Sequence, residues 1–449
     1  MKVNNNLIHG NVAKSMINFA IPMIIGNIFQ QLYNVVDTVI VGKFIGPDAL
    51  AAVGSSYAVI VFLTSIILGL CMGSGAVFSY FYGANEEDKL KNSLFTAFAF
   101  IGIVAIIINI VSIVFIDEIL QLIQIPEEIL TDTKAYLLII FYGITFTGIY
   151  NYFASVVRSL GNSIIPLIFL IMSAIINIVL DYIFVVPLKM GVEGAAYATI
   201  IAQAFSAIGI AIYSASKVPE IRLHKKHIYL DKAMIKMISN YSVLSSIQQS
   251  IMNFGILMVQ GLVNSFGVQV MAAFTAVVKI DSFAYMPVQD FGNAFSTFIA
   301  QNKGAQKNER IQQGIRSAVK IITIYCVLTT IFVLIFAKSL MGFFIDPQET
   351  EIMQIGLRYL AIVSSFYCLI GYLFMFYGLF RGLGKNEVSI ILTIISLGTR
   401  VLLAYTLSAI PSIGLVGIWW AIPIGWALAD LVGLYKVRTM LRKQNIIIY

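Results

Sequence analysis

A few charged, amide and hydroxyl side chains interrupt stretches of sequence that are otherwise apolar, and these are the places where chemistry could be done. The charged ones are Asp37, Asp181, Lys279, Asp281, Asp290, Arg358, Arg400 and Asp430. In hydrocarbon each is costly, so each needs a partner or a task. Three residues share one depth. Counted back from the polar ends of their stretches at ~1.5 Å per residue, Asp37 lies about 7 Å in, Asp181 about 9 Å and Thr199 about 9 Å. Asn177 is one helical turn from Asp181 on the same face. Two carboxylates, an amide and a hydroxyl form an oxygen cluster suited to a hard cation or a shared proton. Carboxylates that meet cannot easily both stay ionised, so one is expected to hold a proton unless a cation neutralises the pair. The plain alternative is two separate, solvated carboxylates at helix ends.

The second half of the chain has a different set. Lys279, Asp281 and Asp290 share one apolar stretch and Arg400 lies in another. Lys279 and Asp281, two residues apart, point different ways on a helix. Arg400 is therefore the expected partner of Asp281, as a structural ion pair or beside an acid that meets a cationic substrate. Asp290 is expected near an end of its span. Asp430 and Arg358 are expected near helix ends, where long or terminal side chains reach water.

The elements that must position these residues follow from composition. Of 449 residues, 59% are hydrophobic and 11% charged, against about 45–50% and about 25% in soluble domains. The solvent must be lipid. Twelve stretches of low charge, near 16–40, 55–80, 93–116, 133–157, 163–187, 193–215, 238–262, 270–299, 317–337, 352–380, 388–409 and 415–436, predict an all-α polytopic membrane protein. Between the seventh and eighth, only weak signals such as Asn264 and Gly267 mark a break. Barrel strands are excluded because whole segments are apolar without alternation. The formal charge of +7 reflects loop asymmetry, and no basic run interleaved with aromatics points to nucleic acid. With the N-terminus inside, 22 Lys and Arg fall on the cytoplasmic side and four outside, which predicts both termini in the cytoplasm. Residues 1–15 are polar and the apolar stretch after them has no small-residue cleavage site, so the first helix is expected to be its own targeting signal. Cys71, Cys326 and Cys368 lie in apolar segments and are expected to be packing residues without disulfides. Pro22 and Pro287 can kink their helices.

The chain also repeats itself. Arg158-Ser-Leu-Gly161 answers Arg381-Gly-Leu-Gly384, and Gly191-Val-Glu-Gly194 answers Gly414-Leu-Val-Gly417, both at an offset of 223; Gly83-Ala84 answers Gly304-Ala305 at 221. This predicts two pseudo-symmetric six-helix bundles of parallel topology, residues 1–215 and 238–449, joined by a basic, solvated cytoplasmic linker at 216–237.

The segment Gln31-Leu-Tyr-Asn-Val-Val-Asp37-Thr-Val-Ile-Val-Gly42-Lys-Phe-Ile-Gly46, with Leu50-Ala-Ala-Val-Gly54 after it, resembles the first-helix signature of the multidrug and toxic compound extrusion (MATE) family. Arg158-Ser-Leu-Gly161-Asn, Asn177-Ile-Val-Leu-Asp181 and Gly191-Val-Glu-Gly194-Ala-Ala are similar to further family motifs, and the likeness covers nearly the whole chain. The resemblance implies export of small amphipathic, often cationic organic molecules in exchange for Na⁺ or H⁺. It implies alternating access across a bacterial cytoplasmic membrane, with no cofactor beyond the coupling ion. It also implies an ion site from a first-helix Asp, a fifth-helix Asn and Asp and a sixth-helix Thr, matching Asp37, Asn177, Asp181 and Thr199. The repeat maps Asp37, Asn177, Asp181 and Thr199 onto Met258, Arg400, Ala404 and Ile422. Where some members have an acid in the seventh helix, this chain has Gln248 and Gln249. Coupling is therefore expected in the first half alone. Expected partners are the organic substrate and membrane lipid, and a monomer is expected. The nearest rival is a flippase for a lipid-linked saccharide of the same superfamily, which would want a more cationic cavity than Lys279 and Arg400 can line. An intramembrane enzyme is a poor fit, because His9, His224 and His227 lie outside the spans and no metal-protease or aspartyl-protease motif is present.

Overall fold

The computed structural model describes residues 7–443. Lys2 of the charge count and the outermost ends of the two expected bundles lie outside the described residues. Within them the chain is helical throughout, in the order α1 (Val12–Phe44), α2 (Pro47–Gly83), α3 (Glu87–Val114), the short α4 (Ile116–Leu122), α5 (Glu127–Ser159), α6 (Ile164–Val185), α7 (Gly191–Lys217), α8 (Lys232–Asn264), α9 (Val268–Gly304), α10 (Asn308–Gly342), α11 (Thr350–Val363), α12 (Tyr367–Gly382), α13 (Asn386–Ser408) and α14 (Leu415–Lys443). Twelve spans are long and apolar enough to cross a membrane; α11 and α12 form one of them, broken by a 3-10 turn at Ser364–Phe366. The protein is a polytopic α-helical membrane protein. α8 ends at Asn264 and α9 begins at Val268, so the weak sequence signals do mark the break.

The core is apolar, yet large apolar side chains also face outward. α3 exposes Ile103, Ile106, Ile107, Ile110, Val111 and Val114, while Ser56, Ser74, Thr96, Thr133, Gln248 and Thr393 are buried. An apolar stripe of that length is stable only against hydrocarbon.

The repeat is written in the backbone. Gly46 (φ 130°) and Gly267 (φ 99°) precede α2 and α9; Asn85 (57°) and Gln306 (56°) follow them. Gly161 (87°) and Gly384 (68°) precede α6 and α13; Gly191 (61°) and Gly414 (54°) stand at the start of α7 and just before α14. The first two pairs are 221 apart and the last two 223, so turns that need left-handed backbone recur at the offsets of the sequence motifs.

The chain divides into two compact units, one over Ile21–Gln249 and the other from Ser250 onward together with the described residues before Ile21. In the first, α5 packs on α2 and α7, and α6 on α7. A Cβ on Gly73 would lie 2.2 Å from the Tyr241 carbonyl oxygen, and one on Gly69 2.3 Å from Ser246 Cα, so α2 and α8 touch backbone to backbone. In the second, α9 packs on α12 and α13 on α14. Residues 7–10 belong to this unit, where Arg310 donates to the carbonyls of Leu7, His9 and Gly10 and Lys307 to that of Ile8.

Two expectations change. The basic linker is not freely solvated: Asn92 donates to the carbonyls of His227 (3.1 Å) and Tyr229 (2.8 Å), and Asp88 holds Lys226 at 2.8 Å and the buried His227 at 2.9 Å. The polar composition concealed that the segment has fixed partners on α3. Asp430 is not at a helix end. α14 continues past the last apolar residues to Lys443, which leaves Asp430 near its middle. The sequence reading ended this span at 436, where Lys436 and Arg438 begin, but the helix runs on beyond them.

Candidate functional site: a buried oxygen cluster in the first unit

α6 shows why the cluster forms. Along it only Pro166, Ala174, Asn177, Asp181 and Val185 are buried, while Ile168, Met172, Ile175, Val179, Tyr182 and Ile183 are exposed. The last four buried positions recur every three or four residues and form one stripe. Its apolar flanks satisfy lipid, so the polar pair Asn177 and Asp181 is the face turned inward. Asp181 is fully buried and Asn177 nearly so.

α1 brings Asp37 to the same place. The Asp37 and Asp181 carboxyl groups are within hydrogen-bonding reach of each other. α7 brings Thr199, whose hydroxyl donates to the Ala195 carbonyl at 3.0 Å and accepts from Asn177 Nδ2 at 3.4 Å. The structure thus gathers all four residues from three helices. Two tyrosines that sequence reasoning passed over complete the wall. Tyr33, one turn before Asp37, and Tyr136 on α5 both lie in electrostatic reach of the two carboxylates. Tyr33 could have been found by its i,i−4 spacing from Asp37. Tyr136 had no signal among 22 tyrosines. Below, Ile40, Val41, Ala49, Val185, Val192, Ala195 and Ala196 pack into an apolar floor.

What the cluster lacks is donors. Asp37 Oδ1, Asn177 Oδ1 and both oxygens of Asp181 are covered and make no hydrogen bond. Buried acceptors are almost always paired. Four acceptors converging without a donor fit a small positive species, a proton or Na⁺, and no anion. Among the described residues no group of three or more His, Cys, Asp or Glu gathers as a transition-metal site would require.

The second unit is built differently. Asp281 accepts from Tyr359 at 2.6 Å and from Tyr367, and Arg400 lies near enough to be felt electrostatically. The direct Asp281–Arg400 ion pair expected from sequence is not formed. Two phenols take the two carboxylate oxygens, and Arg400 Nε is buried without a partner. Phe274 stacks on Trp419 (5.6 Å), and Tyr359 meets Trp419 edge-on (4.9 Å), which fixes the ring that donates to Asp281. Asp290 is buried and not beside Asp281 in these contacts, and Lys279 is exposed. The three cysteines are free thiols.

The MatE family model matches residues 22–183 and again 242–406, so it recognises each half once. The chain is 27% identical over 430 residues to the probable multidrug resistance protein YoeA of Bacillus subtilis, covering 94% of this chain and 92% of that one. It is 26% identical to the probable multidrug resistance protein NorM of Thermotoga maritima (91% and 88% covered) and 24% to the multidrug export protein MepA of Staphylococcus haemolyticus (96% and 94%). In fold it is similar to a MOP superfamily transporter from Pyrococcus furiosus (TM-score 0.93, 24% identity, 100% of both chains). A multidrug resistance MATE family transporter of that superfamily gives a TM-score of 0.92 at 24% identity over 99% of both chains. With both halves matched and the relatives covered almost end to end, the chain belongs to the MatE family of membrane transporters, whose members move solutes and are not enzymes.

Proposed function

We propose that the chain exports small amphipathic, in part cationic, organic molecules from a bacterial cytoplasm in exchange for H⁺ or Na⁺. Asp37, Asn177, Asp181 and Thr199 form its coupling site. The observation that carries this reading is the set of four covered acceptor oxygens without donors on α1 and α6. A cation arriving from outside takes up that position, neutralises the Asp37–Asp181 pair and changes how α1 packs against α6. Drug leaves as the two bundles, residues 1–215 and 238–449 about the linker 216–237, exchange access. One elementary charge moving inward gains about 2.3 kcal/mol for every ~100 mV, enough for severalfold accumulation. The protein works as a monomer with both termini in the cytoplasm and needs no cofactor besides the coupling ion. Relatives named for multidrug resistance and export support the substrate class. The flippase reading gains nothing, because Arg400 is committed to the neighbourhood of Asp281. Efflux of ethidium from proteoliposomes under separately imposed Na⁺ and pH gradients tests the proposal: acceleration by one gradient is expected, and efflux indifferent to both overturns it.

A further inference from the structure

Asp430 lies near the centre of α14, about 22 Å from the first residue of the helix and about 20 Å from the last at ~1.5 Å per residue. Both its carboxylate oxygens are covered and neither has a hydrogen-bond partner. No described cation forms an ion pair with it. The surroundings explain why. On one side a Cβ on Gly425 would sit 2.4 Å from the Ser396 carbonyl oxygen of α13; on the other, a Cβ on Gly433 would sit 2.7 Å from the Phe376 ring of α12. α14 is thus pressed onto two neighbours at two points, and Asp430 lies between those points along the helix. In this packing both of its oxygens are covered.

The charged and titratable groups of the neighbouring helices are committed elsewhere or do not pair with Asp430. From α12, Tyr377 faces Asp430; its hydroxyl is hydrogen-bonded with Thr393 of α13, which is fully buried. Arg381, one turn further along α12, donates to Asn293 of α9 at 3.0 Å. Arg400 of α13 lies among Asp281, Tyr285 and Tyr359. From α11, Tyr359 donates to Asp281, and Arg358 is exposed. None of these cations pairs with Asp430, whose two oxygens are covered without a partner. An ionised carboxylate held so, without water, donor or counter-charge, would cost many kcal/mol and does not persist in proteins. A hard metal ion needs several more oxygens than one carboxylate and one hydroxyl pair supply. A proton needs a single lone pair.

We propose that Asp430 is a proton-binding site of the second unit. It carries a proton while α14 is seated on α12 and α13 as seen here, and releases it when the seat opens and water or a cationic substrate reaches its oxygens. The departing proton passes to the water that enters, and Tyr377 is the hydroxyl that faces the site. The site goes beyond the proposed coupling site: it stands in the half where the repeat puts Met258, Arg400, Ala404 and Ile422 at the positions of the first-unit cluster, and it uses a helix that cluster does not use.

Infrared spectroscopy of the whole protein in detergent at neutral pH tests the proposal, in a background where Asp37→Asn and Asp181→Asn silence the first-unit cluster. A protonated carboxylic acid shows a carbonyl-stretch band that a carboxylate lacks. That band is expected in this background, absent after Asp430→Asn, and shifted after Asp430→Glu, which also serves if the amide variant does not fold. Spectra that superimpose with and without Asp430 overturn the proposal, whatever becomes of the first-unit cluster. Release is tested by adding tetraphenylphosphonium to wild-type protein in weakly buffered solution with a pH indicator. One proton fewer per transporter is expected from Asp430→Asn than from wild type, and equal release overturns the role in exchange. A protonated carboxyl with a merely structural role would give the band but leave proton release unchanged by Asp430→Asn.

Discussion

The carboxyl groups of Asp37 on α1 and Asp181 on α6 lie within hydrogen-bonding reach of each other, and three of their four oxygens are covered without any donor. Like charges so placed repel strongly unless a positive species sits between them. Replacing either with Asn is therefore expected to abolish gradient-driven export while leaving the protein folded. An amide keeps the shape but cannot neutralise Na⁺ or exchange a proton near neutral pH. Drug resistance of cells producing each variant, with membrane expression measured alongside, checks it. Undiminished resistance would remove that residue from coupling.

Asp281 allows a prediction about stability. Its oxygens are taken by Tyr359 and Tyr367, and Arg400 contributes only through space. Tyr359→Phe and Tyr367→Phe each strand a buried acceptor and should cost about 1–3 kcal/mol. Arg400→Ala removes a charge the carboxylate feels, and combining it with Asp281→Ala should cost less than the sum of the two changes, because each buried charge is compensated through space by the other and is left uncompensated when one alone is removed. Thermal unfolding in detergent of the two tyrosine variants, Arg400→Ala, Asp281→Ala and their double mutant reads this directly. Additive losses would show that Arg400 and Asp281 are independent.

Most of the helix frame was legible in the sequence because lipid leaves one sign to read: long apolar stretches with charge confined between them. The turns were legible too, since left-handed backbone at Gly161 and Gly384 or at Gly191 and Gly414 demands glycine, and the glycines repeat. Depth and the i,i+4 spacing put Asp37, Asn177, Asp181 and Thr199 forward together because polar residues in apolar helices are few, and the family resemblance favoured that reading over two separate, solvated carboxylates. Depth along a helix says nothing of azimuth across a bundle, however. Asp281 was assigned to Arg400 when two tyrosines stood closer. Tyrosine is common and amphipathic, so it gives no warning when one hydroxyl is committed. Asp430 was misplaced for a different reason: hydropathy ends where basic side chains begin, whereas the helix itself continues.

The close contact of α2 with α8 predicts a large asymmetry among glycines. Gly73→Ala drives a methyl into the Tyr241 carbonyl at 2.2 Å, backbone that cannot move aside, and should cost about 1–3 kcal/mol or more through overpacking. Gly54→Ala, also within α2, meets nothing within 4 Å and should be neutral or slightly stabilising. Expression level and melting temperature of the two variants compare them within one helix. Equal behaviour would mean that the two helices do not approach as described.

The linker supplies the last prediction. Lys226, outside the spans, is held by Asp88 at 2.8 Å, and the hydrogen bond to that carboxylate raises the lysine above its ordinary pKa. A lysine raised in the folded state contributes stability that is fully present below its unfolded pKa and lost as pH rises through the folded one. Both groups are largely exposed, so the contribution is small and screened by salt. Asp88 also accepts from the buried His227 at 2.9 Å, whose Nδ1 accepts from the His224 backbone N–H at 3.0 Å. That pairing requires the tautomer with hydrogen on Nε2. Asp88→Ala therefore removes two anchors at once and leaves Asn92 to hold the segment. Trypsin, which cuts after lysine and arginine, should cleave the linker between Lys217 and Lys232 several-fold faster in Asp88→Ala than in wild type, with the helices still intact. In wild type the protection should hold across neutral pH, weaken slightly with added salt, and decline slightly in the alkaline range where lysine deprotonates, because Asn92 and His227 still hold the segment. Cleavage that is unchanged by Asp88→Ala would show that the backbone bonds from Asn92 hold the linker alone.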